Sequence, residues 1–200
     1  MEEWVGLKWH DYVTRQAMGE FPEYAVHLKD EARTLGVLFR AMGGDPALSL
    51  VTAEPRHFQI RRKFLQKLAG THRKFELAWR DEESLRLPDR LALVPPRKVN
   101  PELYLWLAAL ASVGEINHHS WLKGNQAMVQ QLLERWPGLE PMYQRLVKHT
   151  LRWRPAPESL PGTEGKREAA IRQALIHPGS VDDLPDALTD PWPVVLWLYP

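Results

Sequence analysis

The stretch Val99–Leu122, VNPELYLWLAALASVGEINHHSWL, decides how the chain is read. From Leu103 to Val113 it runs eleven residues without a charge and is apolar at nearly every position rather than along one stripe. A helix with such a surface needs cover on all sides, so this stretch predicts a central helix that the rest of the chain wraps. Asn100 followed by Pro101 supplies an N-cap and a favoured first residue, and Gly114 punctuates the far end.

On the C-terminal side, a helix is predicted over about His118–Trp136. Trp121, Met128, Val129, Leu132, Leu133 and Trp136 fall on one face, a Gln-rich face lies opposite, and Pro137-Gly138 is the stop. Leu139, Met142, Tyr143, Leu146, Val147 and Leu151 carry helical spacing on to about Arg152. Pro155–Gly165, with three prolines and two glycines, reads as a long flexible loop. A last helix is predicted over about Lys166–Ile176, ending at Pro178-Gly179. The closing WPVVLWLYP is extended and apolar, a final strand or a segment packed on the core.

On the N-terminal side, Glu2–Ala17 predicts a short helix with acids in its first turn. Gly19 and Pro22 separate it from a second helix over about Glu23–Met42. There Leu28, Ala32, Leu35, Phe39 and Met42 recur at three and four, and Gly43-Gly44-Asp45-Pro46 ends it. Ala47–Ala53 alternates as a strand does. Arg56 to Gly70 has the pattern of an amphipathic helix, with Phe58, Ile60, Phe64, Leu65 and Leu68 apolar. Phe75–Arg80, Ser84–Leu87 and Leu91–Val94 read as short strands, closed off by Pro95-Pro96. The fold class is mainly α (α+β): a helical domain with a small antiparallel sheet inserted around residues 47–94. One unit over residues 1–200 is expected, with no internal repeat and no low-complexity tract.

Composition narrows the function classes. Twenty-six basic against 25 acidic side chains leave a net charge of +1, so the surface as a whole is neither polyanionic nor polycationic. With no cysteine, disulfides, thiolate metal sites and cysteine nucleophiles are excluded. The N-terminus carries acids where a secretory signal needs bases. The apolar runs Leu103–Val113 and Trp192–Tyr199 fall short of the roughly 20 residues that span a bilayer. A cytoplasmic protein without a membrane partner is expected.

Candidate chemistry is thin. Glu115, His118 and His119 resemble a metal cluster, since positions four apart share a helical face. They do not form the H-E-x-x-H pattern, and a hydrogen-bonding role at a helix boundary is the better reading. Gly162-Thr163-Glu164-Gly165-Lys166 lacks the phosphate-loop spacing, has Arg167 where a hydroxyl is needed, and reads as a plain loop. No G-x-S-x-G elbow occurs. The nine Trp, at 4, 9, 79, 106, 121, 136, 153, 192 and 197, fall mostly on apolar faces and read as core. No cofactor is expected.

The segment Arg56–Lys74 holds seven Lys or Arg, two His and no acid. An ordinary solvated face ranks first for it, an acidic protein partner second and nucleic acid third, because its aromatics follow core-like helical spacing instead of forming a stacking platform.

Several stretches taken together resemble the N-terminal region of the NorD/CbbO family. These are EEWVGLKWHDYVTR, LGVLFRAMGG, LRLPDRLALVPPRKVNPELYLWLAALAS, NQAMVQQLLERWPGL and PWPVVLWLYP. Members of that family are von Willebrand factor A proteins that partner MoxR-type AAA+ ATPases. The resemblance implies a non-enzymatic adaptor that docks on a hexameric ATPase of the CbbQ or NorQ type and couples it to a client enzyme. Rubisco, the client of the CbbO branch, is preferred; the alternatives are nitric oxide reductase, the client of the NorD branch, or a nucleic-acid-binding module. The family's C-terminal A-domain carries a D-x-S-x-S metal site. This chain has no D-x-S-x-S, which implies a fragment or a stand-alone version and carries over no metal or client-binding residue. Arg61, Arg62, Lys63 and Lys67 are the expected partner-binding residues, because an exposed charged patch speeds and orients association.

Overall fold

A computed structural model describes residues 22–53, 56–57, 74–92, 99–116, 121–186 and 190–200. The expected helix over Glu2–Ala17 lies outside these residues, and so does the helix expected over Arg56–Gly70 except for its first two residues, Arg56 and His57, which form a strand instead because they pair with Lys74–Phe75. Five α-helices are described: α1 (Leu28–Ala41), α2 (Val99–Val113), α3 (Trp121–Arg135), α4 (Glu140–Trp153) and α5 (Gly162–Ile176). Seven short strands accompany them: β1 (Val26–His27), β2 (Ser49–Thr52), β3 (Arg56–His57), β4 (Lys74–Phe75), β5 (Trp79–Arg80), β6 (Ser84–Leu87) and β7 (Arg90–Leu91).

Helix α2 is the centre of the molecule. Leu103, Tyr104 and the unbroken run Trp106–Ser112 are buried, because α1, α3, α4 and β6 each pack against it. Trp106 is fully buried, stacks on Tyr143 of α4 at 4.6 Å between ring centroids, and donates its indole N–H to the Leu196 carbonyl at 2.9 Å. The helix starts at Val99, one residue before the expected cap. The Asn100 side chain is buried and donates Nδ2–H to the Tyr24 carbonyl at 2.9 Å, tying the start of α2 to the segment before α1.

Helix α1 is shorter at its N-terminus than the periodicity predicts. Pro22–Tyr24 forms a 3-10 turn, and Val26–His27 pairs antiparallel with Arg90–Leu91. His27 is therefore extended, and the helix starts only at Leu28, whose N–H reaches the Asp89 carbonyl at 2.8 Å. The C-terminus follows the glycine rule. Gly43 sits at φ +96°, and the Gly44 N–H bonds back to Phe39 O at 2.9 Å, the 6→1 bond of a Schellman motif.

The sheet region is mixed rather than wholly antiparallel. β2 pairs with β6 in parallel and β6 with β5 antiparallel, giving the order β2-β6-β5. Parallel neighbours need a long crossover, and the chain between residues 53 and 79 supplies one. Asp81 makes the β5–β6 turn, accepting from the N–H groups of Glu83 and Ser84 and from the Ser84 hydroxyl. Those backbone donors, Glu83 first, hold the Asp81 carboxyl below the usual carboxylate range.

In the last third one element differs from expectation, and the terminal segment takes one of its two expected forms. Residues 155–165 are not one long loop: Pro157–Ser159 is a 3-10 turn and α5 begins at Gly162. The turn lies directly over Gly165, where an added Cβ would sit 2.5 Å from the Pro157 carbonyl oxygen. Proline and glycine report local chain freedom, whereas this packing depends on a residue without a side chain meeting a distant backbone. The terminal segment makes a turn instead of a strand, with Trp197 N–H bonded to Val194 O and a single parallel bridge from Tyr199 to Trp79. Val194 and Leu196–Tyr199 are buried, as one of the two expected alternatives requires.

Candidate functional site

The sequence-predicted docking cations Arg61, Arg62, Lys63 and Lys67 lie outside the described residues. The ends of their stretch are placed. Arg56 faces Phe75 and His57 faces Lys74 in a two-residue antiparallel pair. His118 and His119 also lie outside, and Glu115 is exposed. Among the described residues no group of three His, Asp or Glu side chains could hold a metal ion.

The strongest polar constellation was not singled out by sequence. Arg154, the residue after α4, is buried and grips Glu168 of α5 with both sides of its guanidinium, Nε to Oε1 and Nη2 to Oε2, each at 2.8 Å. Its remaining donors reach the carbonyls of Pro193 at 2.7 Å and Trp192 at 3.0 Å. One arginine thus fastens two helices and the terminal segment. Two further residues of α3 reinforce the terminal part of the chain. The Asn125 amide donates to Leu198 O at 2.9 Å and accepts from Leu198 N at 2.8 Å, while buried Gln126 donates to Val181 O at 2.7 Å and accepts from the N–H groups of Gly179 and Val181. Spacing had placed Gln residues of α3 on a solvent-facing side. Burial of Gln126 corrects that, because an amide that pairs with backbone on both its atoms can be buried at little cost.

A groove of about 660 Å³ runs between α4 and the ends of α3 and α5, with Leu133, Val147, Leu151 and Ile176 on its apolar lining. Tyr143 contributes to the wall, but its hydroxyl donates to the Leu175 carbonyl at 2.7 Å and burial pushes its pKa far up. It is a hydrogen-bond donor, not a base. Nearby His149 is held below the ordinary imidazole value by burial, then by Arg152 and Lys148, with Glu102 opposing. None of these groups is paired with a nucleophile, so the chemistry on view is packing and charge.

One expected core residue is on the surface. Trp136 was placed on the apolar face of its helix, yet α3 ends at Arg135 and Trp136 takes φ −132°, ψ 70°. That break swings the indole off the face, leaving it 38% exposed with the Arg135 guanidinium 5.9 Å from its ring centroid. Trp106 and Trp197 are buried as expected, and Trp79, Trp121, Trp153 and Trp192 are partly so.

Comparison with known proteins gives the family context. The chain is 45% identical, over its whole length, to Protein NorD of Stutzerimonas stutzeri, and 46% identical to an uncharacterised protein of Pseudomonas aeruginosa. Along its whole length the chain is similar to part of NorD. It is 34% identical over 93% of its length to Protein NorD of Brucella abortus. The chain spans about a third of the length of these relatives, 32% for the first two and 31% for the third. No family model and no solved structure matches it. The names favour the NorD alternative over the CbbO branch that the sequence reading preferred. No described helix is long and apolar enough to cross a membrane.

Proposed function

We propose that this chain is a non-enzymatic adaptor domain of the NorD type, docking on a hexameric MoxR-type AAA+ ATPase of the NorQ kind. In that role it helps couple the ring to remodelling of a client enzyme, nitric oxide reductase. The observation that carries the proposal is the 45% identity to a NorD protein across the entire chain. The architecture supports it: a fully covered central helix, with the terminal segment pinned by Arg154, Asn125 and Trp106, transmits displacement as a unit, since close-packed interiors deform little. Rubisco activation of the CbbQO type ranks behind, because the named relatives are NorD proteins. Arg61, Arg62, Lys63 and Lys67 are proposed as docking cations, in a stretch whose two ends sit side by side.

The test is a pull-down and ATPase assay of the folded chain with the NorQ-type ring, with and without ATP. Binding or altered turnover is expected; a folded chain that does neither refutes docking through this domain. Charge reversal at Arg61, Arg62 and Lys67 weakens binding at low salt if those cations make the contact, and unchanged affinity removes them from it.

A further inference from the structure

The groove between α4 and the ends of α3 and α5 has one long wall, the side of α4 that carries Glu140, Gln144, Lys148 and Leu151. These positions recur at three and four and form a single ridge. Glu140, Gln144 and Lys148 are exposed and Leu151 is half-buried. Across the groove, Ile176 at the end of α5 is 50% exposed and Leu133 of α3 is half-buried. The 3-10 turn Pro137–Leu139 runs straight into α4, because Leu139 is already helical, and carries the ridge back one turn to exposed Pro137.

We propose that this ridge and groove bind a second copy of the same chain, the two α4 helices packing antiparallel about a two-fold axis at Gln144. The inference goes beyond the ATPase-docking reading and does not depend on it.

A two-fold interface sets one patch against itself, so it forms only on a surface that is its own complement. With the axis at Gln144, a residue some number of positions before Gln144 meets the residue the same number of positions after it in the copy. Glu140 therefore faces Lys148, and by symmetry Lys148 faces Glu140. Pro137 faces Leu151, Pro141 faces Val147, and Gln144 meets itself, an amide that both donates and accepts. Acid meets base and apolar meets apolar over about 21 Å of helix. Within one chain Glu140 and Lys148 stand about 12 Å apart along the axis, too far to pair, and the copy closes both pairs at once. The copy's α4 then lies along the groove and covers Ile176 and Leu133, removing apolar surface from water.

The other charges nearby do not oppose this arrangement. Arg145, His149 and Arg152 lie about 90° or more round the helix from the ridge, and Arg145 is engaged by Glu102 of its own chain at 2.9 Å. Glu140 accepts from Gln144 Nε2 at 3.1 Å, which keeps its carboxylate along the ridge. Of the residues that line the groove from outside α4, only His177 is ionisable. A partner face of one sign would meet a repelling charge on this ridge for each attracting one, whereas the copy presents both signs in register.

The experiment is sedimentation equilibrium of the full chain at low salt, over about 1–300 µM, for the wild type, E140K, K148E, E140K/K148E and the control K166E. Lys166 is an exposed residue of α5 that does not line the groove. Circular dichroism confirms that each variant is folded. By symmetry each single reversal turns both ion pairs into like-charge contacts. We expect the wild type to dimerise within this range, E140K and K148E each to weaken the dimer at least tenfold, E140K/K148E to recover to within about threefold of the wild type, and K166E to match it, with the wild-type dimer weakening as salt rises. A second readout uses the absence of cysteine from the chain. Under mild oxidation Q144C links into a disulfide dimer, because the axis brings the two introduced thiols together, whereas A169C, at an exposed position of α5, links more slowly. A wild type that stays monomeric throughout the range overturns the proposal, whatever else fills the groove. Single reversals that dimerise like the wild type, a double reversal as weak as the single ones, a K166E variant as weak as they are, or A169C linking as fast as Q144C overturns it too.

Discussion

Substituting Glu168 by Gln is the sharpest test of how the C-terminal third is held. Arg154 and Glu168 have side-chain exposures of 2% and 3%, and the two N···O contacts are both 2.8 Å. In E168Q the shape survives, but the charge is lost and an NH₂ is set against one of the guanidinium N–H groups. The guanidinium keeps the amide oxygen and the carbonyls of Trp192 and Pro193 as neutral partners. Breaking one side of a buried pair costs about 3–5 kcal/mol, because the other charge stays buried and uncompensated. With a urea slope of about 2 kcal/mol/M, the unfolding midpoint falls by about 1.5–2.5 M. The double variant R154M/E168L removes both charges and recovers part of that loss, but not all. It strips two buried carbonyls of their donors, at about 1–3 kcal/mol each. Equilibrium urea unfolding followed by tryptophan fluorescence measures all three proteins. A loss below about 1 kcal/mol for E168Q refutes the view that the pair is desolvated. A double variant as stable as the wild type refutes the clamp on the terminal segment.

Three further outcomes are expected. Trp106→Phe leaves the Leu196 carbonyl without its donor and loosens the stack on Tyr143, lowering stability by about 2 kcal/mol or more in thermal unfolding. Gly165→Ala places a methyl 2.5 Å from Pro157 O and destabilises by about 1–3 kcal/mol, whereas Gly138→Ala, with nothing within 4 Å, changes stability by less than about 1 kcal/mol; equal effects would refute the close approach of the turn to α5. His149 has a lowered pKa in the fold, mainly from burial. The unfolded chain therefore binds protons more readily, and stability falls as pH drops through about 6.5, the unfolded imidazole value, and below. In His149→Gln the stability profile flattens in that window, as pH-dependent urea midpoints would register.

The mainly helical class and the central place of α2 were legible in the sequence, since eleven uncharged residues have no solution but burial on every side. So was the end of α1 at Gly43, which needs only local chain geometry. The parallel pairing of β2 with β6 was not, because alternation shows which residues lie on one face but not which strand lies alongside. Trp136 shows the limit of periodicity: its spacing fits the apolar face, and a single backbone break one residue past α3 turns it outward. Gln126 and Glu168 show the reverse. A lone Gln or Glu reads as surface until the tertiary structure brings backbone N–H groups or Arg154 to it.

By itself, then, the sequence determined what depends on neighbours along the chain: helix spacing, glycine stops, the absence of thiol chemistry and the NorD/CbbO resemblance. Only the tertiary structure decided how polar groups remote in sequence satisfy one another, as Arg154 does with Glu168, Trp192 and Pro193. That depends on distances between segments that no local pattern encodes, because burial of a polar group is tolerated only where the whole fold supplies its partners.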